Sequence, residues 1–269
     1  MQNLLKIPIK NIYFRSSSVS SIPKLNGVST RSALSFKSDI PDLKQLDVKD
    51  KEEYYCGPVS VADGIIMLAN QGFTALFKSN SPSKLIEELA SSFKTDTNGT
   101  TSKNICEGLE TFVKSKGYNP EIKYQGFRPV ESKYKVGAMP DLAWIKNEID
   151  KKNAVFLNIG VYKKHIQDEK VIYERQYGHY VMATGHGHNG LENNPNVITI
   201  HDPYNRVKGD HYIKVGKINE GNLIVNKDDN ESSLTDKATG FYEISSRFNY
   251  FEPDEVGIIN GVISLGIEK

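Results

Sequence analysis

Residues 54–70 read YYCGPVSVADGIIMLAN. A polar segment runs into this stretch from Asp39 to Tyr55, carrying Pro41 and alternating charges from Lys49 to Glu53. The apolar positions that follow, Val61, Ile65, Leu68 and Ala69, recur at helical spacing. A helix is therefore expected to open at Cys56 or just after it. Gly57 allows a tight backbone there, and Pro58 suits a first turn, where a missing N–H costs nothing. Gly72 is a natural terminator. This placement decides how the cysteine is read. A thiol at a helix start meets free backbone N–H groups and the positive end of the helix dipole, and both favour the thiolate. The same N–H groups can receive negative charge that develops on a substrate oxygen. A cysteine without such a setting is most often a small buried hydrophobe. Cys106, between Ile105 and Glu107 in a helical pattern, is read that way.

Three more helices are expected downstream. The second follows Ser81 and Pro82, with Ser83 as its cap and Leu85, Ile86, Leu89 and Ala90 as its apolar face. The third covers Ser102 to Lys116 and ends at Gly117. The fourth covers Asp141 to Lys152, with Leu142, Ile145 and Ile149 inward. The pattern then changes to apolar runs suited to strands: Ala154 to Tyr162, His179 to Gly185, Asn196 to His201 and Val256 to Leu265. His211 to Val215 and Gly240 to Ile244 are weaker cases. Helices first and strands later predict an α+β fold, with an N-terminal helical part packed on a C-terminal antiparallel sheet.

A nucleophilic cysteine needs a base. The chain has six histidines. His165 lies in a charged segment without a frame, His186 and His188 lie in a glycine-rich turn, and His211 begins a weak strand. His179 differs, because it follows Gly178 and begins the run Tyr180, Val181, Met182, Ala183, so it is expected at a strand start. The strand ending at His201 would return antiparallel beside it, joined by residues 186–195, and bring Asp202 close to His179. A carboxylate on one ring nitrogen fixes the tautomer and leaves the other nitrogen for the thiol proton. Pro203 stops the strand at that point. By itself Asp202 reads better as a turn-forming Asp before a proline.

Together these segments carry a resemblance. Tyr55-Cys56-Gly57-Pro58-Val59-Ser60 resembles the nucleophile motif of bacteriocin-leader-processing peptidases and their peptidase-like relatives in the papain-like cysteine peptidase superfamily. Gly178-His179-Tyr180-Val181, with Gly185 after it, resembles that family's histidine motif. The strand ending at Asp202-Pro203 resembles its third motif. Gly99-Thr100-Thr101 through Gly117-Tyr118 resembles the intervening region, so the likeness spans roughly residues 45 to 215. It implies a papain-like fold and a Cys56–His179–Asp202 triad acting through a thioester. One position departs from the pattern. The family carries an oxyanion-holding glutamine six residues before the cysteine, where this chain has Asp50, whose carboxylate would repel an oxyanion. Gln45 is the displaced candidate for that donor.

Composition bounds the alternatives. The 269 residues are 38% hydrophobic and 25% charged, which reads as soluble and globular. The net charge of +1 gives no case for nucleic acid or an anionic membrane as partner. No stretch is apolar enough to predict a membrane span. Two cysteines make no disulfide framework. Residues 1–38 hold Lys6, Lys10, Arg15, Lys24, Arg31 and Lys37, many serines and no acidic residue before Asp39. They read as a basic, poorly ordered leader or a secretion address without a standard signal peptide, ahead of a domain over 39–269. The expected substrate is a peptide or protein, and the chemistry calls for no cofactor. Competing readings are acyl transfer or deamidation at glutamine by the same triad, an inactive peptide-binding domain favoured by Asp50, and a metal site from His179, His186, His188 and His201.

Overall fold

The computed structural model describes residues 35–36, 40–45, 48, 53–79, 81–205, 207–225, 235–246, 248 and 250–268. Along the chain run β1 (Ser35–Phe36), α1 (Cys56–Asn70), α2 (Pro82–Ser92), α3 (Ser102–Ser115), β2 (Asn119–Gly126), β3 (Lys135–Gly137), α4 (Leu142–Asp150), β4 (Ala154–Gln167), β5 (Lys170–His188), β6 (Asn193–His201), β7 (His211–Lys217), β8 (Asn222–Ile224), β9 (Thr235–Lys237), β10 (Tyr242–Ile244) and β11 (Glu255–Glu268). Asp50 and nearly all of residues 1–38 lie outside the described residues. Ser35 and Phe36 are described, and they pair with His186 and Gly185 of β5.

The α+β expectation agrees with this mixture of helices and one large sheet. The order differs in detail, because β2 and β3 fall between α3 and α4 rather than after the helices. Their sequence, NPEIKYQG in β2, has proline at its second position and mixes charge with apolar residues, so it gave no strand signal. The second helix begins one residue after Ser81, with Pro82 in its first turn. Ser81 therefore occupies the cap position, and Ser83 sits inside the helix.

An antiparallel ladder runs β4–β5–β6–β7–β10–β11, and β11 pairs back to β4. These six strands thus close on themselves, which leaves no bare edge among them. Alternation along the strands sorts the side chains into two layers. Val155, Leu157, Ile159, Val181, Ala183, Ile198, Ile200, Ile213 and Val215 form one apolar cluster, shared with Leu142, Ile145 and Ile149 of α4. Ala154, Phe156, Tyr180, Met182, Ile263 and Leu265 belong to a second cluster with α1, α2 and α3.

α1 is buried from Cys56 to Ala69. Its small and apolar residues all round suit a helix enclosed on every side. Gly64 is where the helix comes closest to the sheet. A Cβ there would stand 2.6 Å from the Phe156 ring and 2.9 Å from the Ala154 Cβ. Ser60 adds a polar tie, its Oγ donating to the Tyr180 carbonyl at 2.9 Å. These contacts fix the start of α1 against β5 beside residue 179.

Candidate active site

Cys56 is the first residue of α1. Tyr55 at the cap position makes no side-chain capping bond, so the first-turn N–H groups are left for other partners. The His179 imidazole and the backbone N–H groups of Tyr180 and Gly57 lie close enough to stabilise negative charge on the Cys56 sulfur. Burial pushes this thiol up, but the His179 bond and charge, with the two backbone donors, bring it below the ordinary thiol value. The residue as a whole keeps 9% of its surface exposed and counts among the buried residues.

His179 pairs with Ile159 across to β4. It therefore lies within β5, which extends from residue 170 to 188, and the expectation of a strand start is corrected. What the sequence could not show is that Lys170–Gly178 continues the strand, with Ile172 and Tyr173 buried and the stretch next to Gly178 exposed. On its other side, β5 pairs with β6 only from Met182, opposite His201. Position 179 thus lies just past the end of β6, where the chain turns away at Asp202 and Pro203.

In that recess, His179 Nε2 sits 2.7 Å from Asp202 Oδ1. This leaves Nδ1 for the Cys56 sulfur. Burial alone would lower the imidazole's affinity for a proton, but the Asp202 carboxylate and the Cys56 sulfur raise it well above the usual histidine value. Asp202 is fully buried. Burial raises its carboxyl, yet His179, the Tyr204 N–H and the Tyr250 hydroxyl together hold it below the ordinary carboxylate value. Oδ1 accepts from the Tyr204 N–H at 3.0 Å, Oδ2 from the Tyr250 hydroxyl at 3.0 Å, and the Asp202 carbonyl from the Asn205 N–H at 3.2 Å. The turn-forming reading of Asp202 and its pairing with His179 are therefore compatible, since one carboxylate serves both.

The chain before α1 braces this loop. Lys44 Nζ donates to the Asp202 carbonyl at 3.0 Å and pairs with Asp42 at 2.6 Å. The Gln45 N–H donates to the Pro203 carbonyl at 2.9 Å, which puts Gln45, itself buried, beside the acid end of the site. Asp42, Asp63 and His201 gather next to it with ligand atoms within 4.8 Å of one another. The cation among them is Lys44. Asp42 also accepts from the Gly209 N–H, Asp63 from the Leu43 N–H, and His201 Nδ1 lies 2.9 Å from the Pro41 carbonyl. These contacts are those of a brace that holds residues 40–45 down.

The other histidines scatter. His186 faces Asp150 at 2.9 Å, His188 Nδ1 accepts from the Gly190 N–H, and His211 Nε2 lies 3.0 Å from the Val207 carbonyl. His179, His186, His188 and His201 therefore do not converge as a metal site among the described residues. His165 has a frame after all, paired with Ile172 in the β4–β5 arm. Cys106 is fully buried in α3, and its thiol is pushed up to about 12 by burial and by Glu107 and Glu131. Sequence reading missed Lys44 and Tyr250. Neither carries a local signal, because one is a single lysine in a polar segment and the other an aromatic in a loop.

Residues 37–223 match the model of the Peptidase_C39 like family. The chain belongs to the Peptidase_C39 like family. Membership suggests a cysteine peptidase-like enzyme of hydrolase type, and the matched span contains Cys56, His179 and Asp202. A search of curated proteins finds no match. In this Peptidase_C39 like chain the match ends within β8, ahead of β9, β10, β11 and Tyr250. No described helix is long and apolar enough to cross a membrane.

Proposed function

We propose that the protein is a cysteine peptidase of papain-like fold that hydrolyses a peptide or protein substrate through a Cys56 thioester. The observation that carries this reading is the His179 imidazole held on the buried Asp202 carboxylate, Nε2 to Oδ1 at 2.7 Å, beside the Cys56 sulfur at the start of a helix. Cys56 as thiolate attacks the scissile carbonyl carbon, and a C–S bond forms. His179, as imidazolium, gives its proton to the leaving amine as the C–N bond breaks. Water then attacks the thioester carbonyl with His179 taking its proton, and the carboxylic acid leaves as the C–S bond breaks and the thiolate–imidazolium pair is restored. Asp202 holds the ring so that Nδ1 faces the sulfur throughout. Oxyanion donors are sought among the first-turn N–H groups of α1 and the side chain of Gln45, whose backbone is pinned to Pro203. The bacteriocin-leader-type likeness of the motifs favours a peptide as substrate. Residues 39–269 form the catalytic domain in this reading, and 1–38 a basic leader whose Ser35–Phe36 joins the sheet. The test is mass spectrometry of a mixed peptide library incubated with wild type and with Cys56→Ala. Cleavage products that depend on Cys56 support the proposal. Labelling of Cys56 by an electrophilic probe with no cleavage of any peptide would remove the peptidase reading.

A further inference from the structure

Tyr250 belongs to the segment between β10 and β11, beyond the stretch that matches the family model. Its hydroxyl donates to Asp202 Oδ2 at 3.0 Å, while Oδ1 of the same carboxylate faces His179 Nε2 at 2.7 Å. Asp202 has no exposed surface, and a buried carboxylate oxygen needs a donor of its own. Tyr250 supplies one to the oxygen that His179 does not reach. Its ring stands edge-on to the imidazole, with centroids 5.7 Å apart and planes at 74°. Tyr204, Phe248 and Phe251 hold that ring in turn at 4.9, 5.3 and 5.3 Å.

Resting on the reading of Cys56, His179 and Asp202 as a triad, we infer that Tyr250 is a positioning residue of the site. Its hydroxyl fixes the plane of the Asp202 carboxylate so that Oδ1 meets His179, and its ring shields that bond from water. It acts through Asp202 and needs no contact with substrate. The charge argument runs the same way. A thiolate at Cys56 is a second anion near Asp202, and a hydroxyl that takes up part of the carboxylate's charge makes that second anion less costly. The titratable groups facing the imidazole and the phenol are Cys56 from α1, Asp202 after β6, Tyr177 from β5 and Tyr204.

The experiment follows the iodoacetamide labelling rate of Cys56 against pH, read by mass spectrometry on the full chain. The variants are wild type, His179→Ala, Tyr250→Phe, and a chain with 3-fluorotyrosine at position 250, a stronger donor of the same shape. Tyr250→Phe keeps the ring and loses only the donor. The expected result is an acid limb moved up by about one pH unit in Tyr250→Phe, with the fluorinated chain moving it down. A residue that only packs would lower the melting temperature of Tyr250→Phe and leave the limb in place, which overturns the inference. If Tyr250→Phe fails to fold, the fluorinated chain decides: an unmoved limb overturns the inference. Wild-type labelling indifferent to His179→Ala removes the triad itself and this inference with it. Labelling that depends on His179 while both Tyr250 chains match wild type overturns the role of Tyr250 alone.

Discussion

At the Cys56 sulfur two opposing effects meet. Burial disfavours the thiolate, while the His179 imidazole and the Gly57 and Tyr180 N–H groups favour it, and the second set wins. Cys106 has the burial without the compensation, and its thiol goes up to about 12. Iodoacetamide at neutral pH is therefore expected to label Cys56 and spare Cys106. His179→Ala removes the strongest contribution that lowers this thiol, and should slow Cys56 labelling at pH 7 by about tenfold for each pH unit the thiol rises. The pH window follows from the two directions. The thiolate is present above the depressed Cys56 value and is lost as pH falls through it. The imidazolium is present below the raised His179 value and is lost as pH rises through it. Fast peptide cleavage is expected between those limits, falling off on the acid side with Cys56 and on the alkaline side with His179. The cysteine and its helix were legible at this scale because Gly57, Pro58 and the apolar spacing sit next to one another. The pairing of His179 with Asp202 was legible through strand order. Lys44 and Tyr250 were not, since each reaches Asp202 from far away in sequence.

Between α1 and the sheet, small groups set the distance. Gly64→Ala places a methyl against the Phe156 ring and the Ala154 Cβ. It is expected to cost about 1–3 kcal/mol in a denaturant melt, as overpacked cores do. Because the helix carries the cysteine, the same variant should also slow Cys56 labelling. Ser60→Ala strands the Tyr180 carbonyl, one residue from His179, and is expected to cost about 1–3 kcal/mol in the same melt. The four helices were legible from their apolar spacing, but the long β4–β5 hairpin was not. In its distal arm, which pairs Gln167 with Lys170, the β4 side from Lys163 to Gln167 is exposed, while the β5 side buries the adjacent residues Ile172 and Tyr173, so neither side shows the apolar–polar alternation that marks a half-buried strand. Its two-residue turn is Asp168-Glu169, both at positive φ, of 49° and 61°. Such a turn ordinarily advertises itself with asparagine or glycine, and here it does not.

Across the whole molecule, the last strand holds the rest. β11 pairs with β4 along residues 255–265, with β2 along 261–268 and with β10 along 257–259. The family match stops at residue 223, yet a chain ended after Ile224 would leave β4 and β2 without their shared neighbour. A net stability on the order of 5–15 kcal/mol does not survive the loss of a central strand. The truncated chain is expected to show no cooperative thermal transition by circular dichroism, whereas the full chain shows one. The α+β class could be read from the sequence, because helical and strand patterns separate broadly along it. Closure of six strands could not, because it depends on β11 returning to β4 across about a hundred residues.

The thiolate–imidazolium pair is tested most directly by its own absorbance. The ultraviolet thiolate band of wild type minus Cys56→Ser, titrated against pH, should already be present at neutral pH. It should disappear at that pH in His179→Ala. A band that emerges only above the ordinary thiol range, and at the same pH with or without the imidazole, would contradict the account.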